Sequence, residues 1–136
     1  MPIRLAVVAI DARDPGRVAA FWAAALGWDV WPDPDGGLVS LAPPGASDSS
    51  GAAGPSIDVV PVPEDKTVKN RLHFDVRADD STQAQEVDRL LALGARRVDV
   101  GQASEASWVV LADPEGNEFC VLQRSVQQVQ AADRQT

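Results

Sequence analysis

The single histidine of the chain, His73, lies in NRLHFDV (residues 70–76), and its single cysteine, Cys120, lies in DPEGNEFCVLQ (113–123). Imidazole and thiolate are both ligands for borderline divalent metals, and imidazole titrates near neutrality. Asp75 stands two residues from His73, and Glu118 two residues from Cys120. In an extended chain, residues two apart share a face, so each pair would present its polar atoms together. His73 with Asp75 therefore has the makings of an acid–base pair or of an anchor for a ligand's polar group. A plainer reading stands beside it: a hydrogen-bonded histidine in a strand wall. Cys120 divides the same way, between a small buried apolar residue and a ligand or nucleophile, the latter requiring a nearby cation or helix N-terminus.

These residues must be positioned by strands. Alternation is clearest in RLHFDVR, where Leu72, Phe74 and Val76 point one way and Arg71, His73, Asp75 and Arg77 the other. Strands are expected near 3–10, 28–33, 37–42, 56–61, 71–77, 96–100, 107–112 and 118–123. Two segments carry the helical period. In DPGRVAAFWAAALG, the residues Val18, Phe21, Trp22, Ala25 and Leu26 form one face, with Asp14 as N-cap, Pro15 in the first turn and Gly27 as stop. In DDSTQAQEVDRLLALG the stripe is Ala84, Val87, Leu90 and Leu91, with Asp80 or Ser81 as cap and Gly94 as stop. PDPDGG (32–37) and Asp113 to Asn117 read as tight turns. PPGASDSSGAAGPS (43–56) is too poor in large apolar residues to pack and reads as a mobile loop with the reach of a lid, while the C-terminal VQQVQAADRQT reads as a frayed tail.

At 136 residues, 45% hydrophobic and 24% charged, the chain has the size and composition of one globular domain. A net charge of -8 argues against nucleic acid or an anionic membrane surface as a partner, since phosphate rewards clustered Lys and Arg. The apolar run Leu5 to Ile10 is too short for a signal-peptide core or a membrane span. One cysteine excludes an internal disulfide and is compatible with a reducing cytoplasm. The expected location is cytoplasmic.

The chain also repeats itself. VVAIDARD (7–14) leads to a helix ending in ALG at 25–27, and HFDVRADD (73–80) leads to a helix ending in ALG at 92–94. Strand, cap, stripe, stop and following strand recur together, which implies two tandem strand–helix–three-strand modules. The stretches AIDARDPGRVAAFWAAALGW, NRLHFDVRADD and WVVLADPEGNEFCVLQ resemble the vicinal oxygen chelate superfamily of glyoxalases, bleomycin-resistance proteins and ring-cleaving dioxygenases, over residues 5 to 124. The resemblance implies an α+β fold: two βαβββ modules, about 3–61 and 70–124, joined by a connector (62–69), followed by a tail (125–136), and curling into an eight-stranded cup within one domain.

In metal-using members each module donates one ligand from its first strand and one from its last. The matching positions here are Val7, which has no donor, His73, and Cys120 where those members carry glutamate; Asp58 is the carboxylate near the end of module one. The expectation is therefore a small-molecule-binding protein that holds or sequesters an organic metabolite or antibiotic without a tightly held metal. Val7, Ala9, His73, Asp75, Trp108, Glu118, Cys120 and Leu122 would line its site, and His73 and Asp75 would be the groups able to do chemistry. Trp22 belongs to a helical stripe and reads as core. An indole lining the cup, Trp108 above all, would favour flat aromatic ligands. The enzymatic alternative is a lyase, isomerase or dioxygenase using His73 with Glu118 and Asp58 around a divalent metal, or a metal-free acid–base pair of His73 and Asp75. The resemblance further implies a homodimer.

Overall fold

The computed structural model describes residues 1–134, which fall into two compact units, the first Met1–Asp65 and the second beginning at Lys66. Module one contains β1 (Val7–Ala12), α1 (Pro15–Leu26), β2 (Asp29–Pro32), β3 (Val39–Ala42) and β4 (Ser56–Pro61). Its sheet has the order β1-β4-β3-β2, with β1 parallel to β4 and the other pairs antiparallel. Helix α1 is built as its sequence dictates. Asp14 accepts the Arg17 N–H at 3.2 Å, Pro15 opens the helix, and Gly27 closes it in the left-handed region at φ 68°. Val18, Ala19, Phe21 and Trp22 are buried, and α1 packs against β3 and β4, where Leu41, Ile57 and Val59 are also buried. Phe21 and Trp22 meet edge to face with ring centres 5.1 Å apart. Ala25 and Leu26, expected on the same stripe, are only half-buried.

Strand β1 starts at Val7, not residue 3, because its parallel partner begins at Ser56 opposite Val7 and the Ser56 N–H closes the ladder on the Ala6 carbonyl at 3.0 Å. Ile3 and Leu5 lie before any partner and are exposed. The segment expected to be a mobile loop is instead tied down through its backbone. Arg4 donates to the Ala52 carbonyl at 3.1 Å, and the Ser56 hydroxyl donates to the Ser49 carbonyl at 2.8 Å. Gly51 is buried at φ 78° against Ala6, so close that an added Cβ would stand 1.8 Å from the Ala6 carbonyl oxygen. Poverty in large side chains does not free a loop whose glycine lets backbone approach backbone.

Module two repeats the plan with β5 (Phe74–Val76), α2 (Gln83–Leu93), β6 (Arg96–Arg97), β7 (Val109–Ala112) and β8 (Glu118–Val121), in the order β5-β8-β7-β6 with β5 parallel to β8. Its strands are shorter than the alternation implied. The cap of α2 is Thr82, not Asp80 or Ser81: its hydroxyl accepts the Gln85 N–H while the Gln85 side chain accepts the Thr82 N–H, a reciprocal box. Asp80 instead takes a left-handed turn at φ 57° just before the helix. Val87 and Leu90 are buried, Leu91 is half-buried and Ala84 is exposed.

The tail is helical as far as it is described: α3 spans Val126–Arg134, and residues 135–136 lie outside the described residues. Ser125 and Gln128 exchange hydrogen bonds at its start, Val126 N–H donates to the Ala78 carbonyl, and Gln127 bridges Asp79 and the Asp80 N–H. No helix among the described residues is long and apolar enough to cross a membrane.

Candidate functional site

The candidate site belongs to module two and is carried by the parallel pair β5–β8. Asp75 is in register with Cys120, and Cys120 with Val110 on β7. Phe119 and Val121, either side of Cys120, are buried, so the alternation sends Glu118, Cys120 and Leu122 to the opposite face, together with His73 and Asp75. There His73 Nδ1 lies 3.1 Å from Asp75 Oδ1. Donor atoms of His73, Asp75 and Cys120 all lie within 4.8 Å of one another. The imidazole and the carboxylate keep 41% and 48% of their surface, which leaves both accessible to a ligand.

Asp75 is the hub of this group. A carboxylate can only accept, so the imidazole nitrogen facing it carries the proton. Burial, then the charge and hydrogen bond of Asp75, pushes the Cys120 thiol above its ordinary value of 9.0 against a weaker pull from Lys69. Cys120 is therefore a protonated donor at neutral pH and a poor nucleophile. His73 is the imidazole beside it, but the carboxylate between them works against a thiolate.

Glu118 shares this face with its carboxylate already engaged. Lys66 Nζ donates to it at 2.7 Å and the Asn70 N–H at 3.2 Å, while its side chain retains 11% exposure. Burial raises its pKa, but the Lys66 hydrogen bond, the backbone N–H donors and the Lys66 charge outweigh that and hold it below the ordinary 4.5. Asn70 Nδ2 adds a bond to Asn117 Oδ1 at 2.8 Å, so this cluster fastens the segment entering module two to the turn before β8. That turn is as its sequence implied. Asp113 is 1% exposed and accepts from the N–H groups of Glu115 and Asn117 and from the Asn117 side chain.

A cavity of about 460 Å³ opens on this face, within the range of small-molecule sites. His73, Asp75, Trp108, Glu118, Cys120 and Leu122, all singled out from the sequence, line it. Lys69, Val100, Gly101, Gln102, Val110 and Phe119 also line it and were not foreseen. Val110 was within reach, since it shares strand parity with Trp108. Val100, Gly101 and Gln102 come from the irregular segment between β6 and β7, where periodicity carries no signal. Val7 and Ala9 lie on β1 of module one, half-buried and exposed respectively, and this second-module cavity is built without them.

The donors do not fit the four-position metal cage of the metal-using relatives. Val7 occupies the first-strand position of module one and has no donor atom. Asp58 accepts the Ser40 hydroxyl at 2.6 Å, and Glu118 is held by Lys66. What remains is the His73, Asp75 and Cys120 group of module two, in which Asp75 already serves both other members.

A family model described as "Glyoxalase-like domain" matches residues 7–122. The chain belongs to that family. The glyoxalase-like chain matches no curated protein, but solved structures share its fold. A glyoxalase/bleomycin resistance protein/dioxygenase family enzyme from Burkholderia phytofirmans PsJN is 21% identical, with TM-score 0.61 over 88% of this chain and 97% of that one. The fosfomycin resistance protein FosX from Mesorhizobium loti is 12% identical, with TM-score 0.66 over 96% and 99%. TnmS3, an antibiotic binding protein from Streptomyces sp. CB03234, is 19% identical, with TM-score 0.58 over 91% and 98%. The same α+β arrangement of two four-stranded mixed sheets is thus shared by a protein described as an enzyme and by one described as an antibiotic binding protein.

Proposed function

We propose that this glyoxalase-like protein binds and sequesters a small organic metabolite or antibiotic in the second-module cavity, without a tightly held metal. The observation that carries this reading is the cavity itself: about 460 Å³, with apolar walls from Val100, Trp108, Val110 and Leu122 and an accessible polar group of His73 and Asp75. Binding needs a shaped cavity with few polar anchors. Glu118, expected among the lining residues, serves better as the strut that holds the cavity's edge, since its oxygens already have partners. An antibiotic-binding protein of the same fold makes the reading concrete. We further propose a cytoplasmic homodimer, which would cover the exposed apolar residues Ile3, Leu5, Val68 and Leu72.

A second reading has one observation in its favour. The 3.1 Å contact between His73 and Asp75 is the geometry of an orienting carboxylate behind a general base, so a metal-free lyase or isomerase would use the same pair. The test is a ligand screen by tryptophan quenching, followed by His73→Ala, assayed for affinity and for turnover of every hit, and by Trp108→Leu, assayed for affinity. Hits returned chemically unchanged, with affinity lost in the variant, support sequestration. Turnover that disappears with His73 establishes the enzyme. Hits whose affinity is indifferent to His73 and Trp108 would place the binding site elsewhere.

A further inference from the structure

We infer that the cavity selects a flat aromatic ligand carrying a neutral hydroxyl, a phenol or enol, whose O–H donates to Nε2 of His73. The inference rests on the binding reading above and names the chemical class of its ligand. With Nδ1–H committed to Asp75, Nε2 is the ring nitrogen left over, and in the neutral imidazole it is an acceptor. The site therefore offers one directional lone pair, held in its tautomer by a carboxylate behind it. Asp75 is a positioning residue, acting on the ligand through His73. Its other neighbour, the protonated Cys120 thiol, adds a second donor to the same carboxylate.

Charge narrows the class further. Among the lining residues Asp75 and Glu118 are anionic, Glu118 is neutralised by Lys66, and the remaining cation, Lys69, already donates to the Asn70 carbonyl at 3.3 Å. A carboxylate or phosphonate on the ligand would meet Asp75 at close range and gain little. A hydroxyl meets an acceptor. Its body would lie on apolar surface that the protein leaves open: Trp108 is 41% exposed and Val100 37% although both line the cavity. An indole face left to solvent rewards a planar ring more than an aliphatic one.

The test uses three matched probes followed by backbone amide NMR titration of the full chain: para-hydroxyacetophenone, its methyl ether para-methoxyacetophenone, and the cation para-acetylbenzylammonium. The phenol is expected to bind about tenfold more tightly than the ether, the worth of one hydrogen bond to a desolvated acceptor. His73→Ala should bring the phenol down to the affinity of the ether. Asp75→Asn should shrink the phenol-to-ether ratio measured within that variant, which a merely structural role for Asp75 would not do. Equal binding of phenol and ether to the wild-type protein, or a preference that survives His73→Ala, overturns the inference and leaves the cavity reading standing. A cation that binds most tightly overturns it in favour of direct recognition by Asp75. Failure of all three probes to shift any lining residue at millimolar concentration overturns the cavity reading itself, and the inference with it.

Discussion

Module one and module two carry different side chains at equivalent register positions. Where β1 and β4 present Val7, Ala9 and Asp58, β5 and β8 with the residue before β5 present His73, Asp75 and Cys120. Val110 on β7 stands where β3 has Ser40. The buried faces of the two sheets, by contrast, are nearly interchangeable: Leu41, Ile57 and Val59 in one, Leu111, Phe119 and Val121 in the other. The lesson is that the duplicated topology is held by the buried face, which must stay apolar. The other face differs between the two modules, and in module two it carries the His73, Asp75 and Cys120 group and the cavity beside it. The two modules also restrain their connections differently. Module one latches its 43–55 loop by close backbone approach at Gly51, and module two fastens its entry and its β8 turn by ionic and amide side chains.

That contrast can be broken experimentally. Gly51→Ala should have the largest effect, destabilising the protein by about 4 kcal/mol or more in urea denaturation, because the new Cβ meets backbone at 1.8 Å and φ is 78°. A loss below about 1 kcal/mol would mean that the latch does not hold the loop. Asp113→Ala, which strands the donors of Glu115 and Asn117, should cost about 3 kcal/mol; a neutral result would show that the β8 turn does not depend on its buried carboxylate.

Glu118→Gln should cost about 2 kcal/mol at neutral pH. Its sign with pH follows from linkage. The folded-state pKa of Glu118 lies below the ordinary 4.5, so its contribution is complete above that value and is lost as pH falls through the folded value. The variant's acid-denaturation limb should accordingly be flatter below about pH 4.5, and an unchanged limb would sink the strut assignment. His73→Val, which writes module one's residue into module two, should leave stability within about 0.5 kcal/mol, since the ring is exposed, yet weaken ligand binding about tenfold. Titration with zinc, nickel, manganese and ferrous iron should give no binding tighter than about 10 μM. One equivalent bound more tightly, and lost in both His73→Ala and Cys120→Ser, would convert the polar group of module two into a metal centre.

Much of this was legible in the residues because it is local. Helix α1 follows from Asp14, Pro15, its apolar stripe and Gly27, and the turn at Asp113 from its own side chains. The start of helix α3 is also written locally, since Ser125 and Gln128 have the spacing of a reciprocal cap, although the segment that follows is polar. The pairing of His73 with Asp75 follows from strand parity alone.

By itself, then, the sequence determined the duplicated βαβββ plan, the apolar faces that bury it, the face on which His73, Asp75, Glu118 and Cys120 lie, and the absence of a metal donor at Val7. Those are consequences of period, capping and register, which act over a few residues. Tertiary structure alone decided that Lys66 and Asn70 occupy Glu118, that Asp75 reaches the Cys120 thiol, that Val100 and Gln102 wall the cavity, and that Gly51 rests on Ala6. Each of these joins groups far apart in the chain or places a segment without periodicity. Such contacts form only when the strands have brought their ends together, and no local pattern of residues encodes the distance.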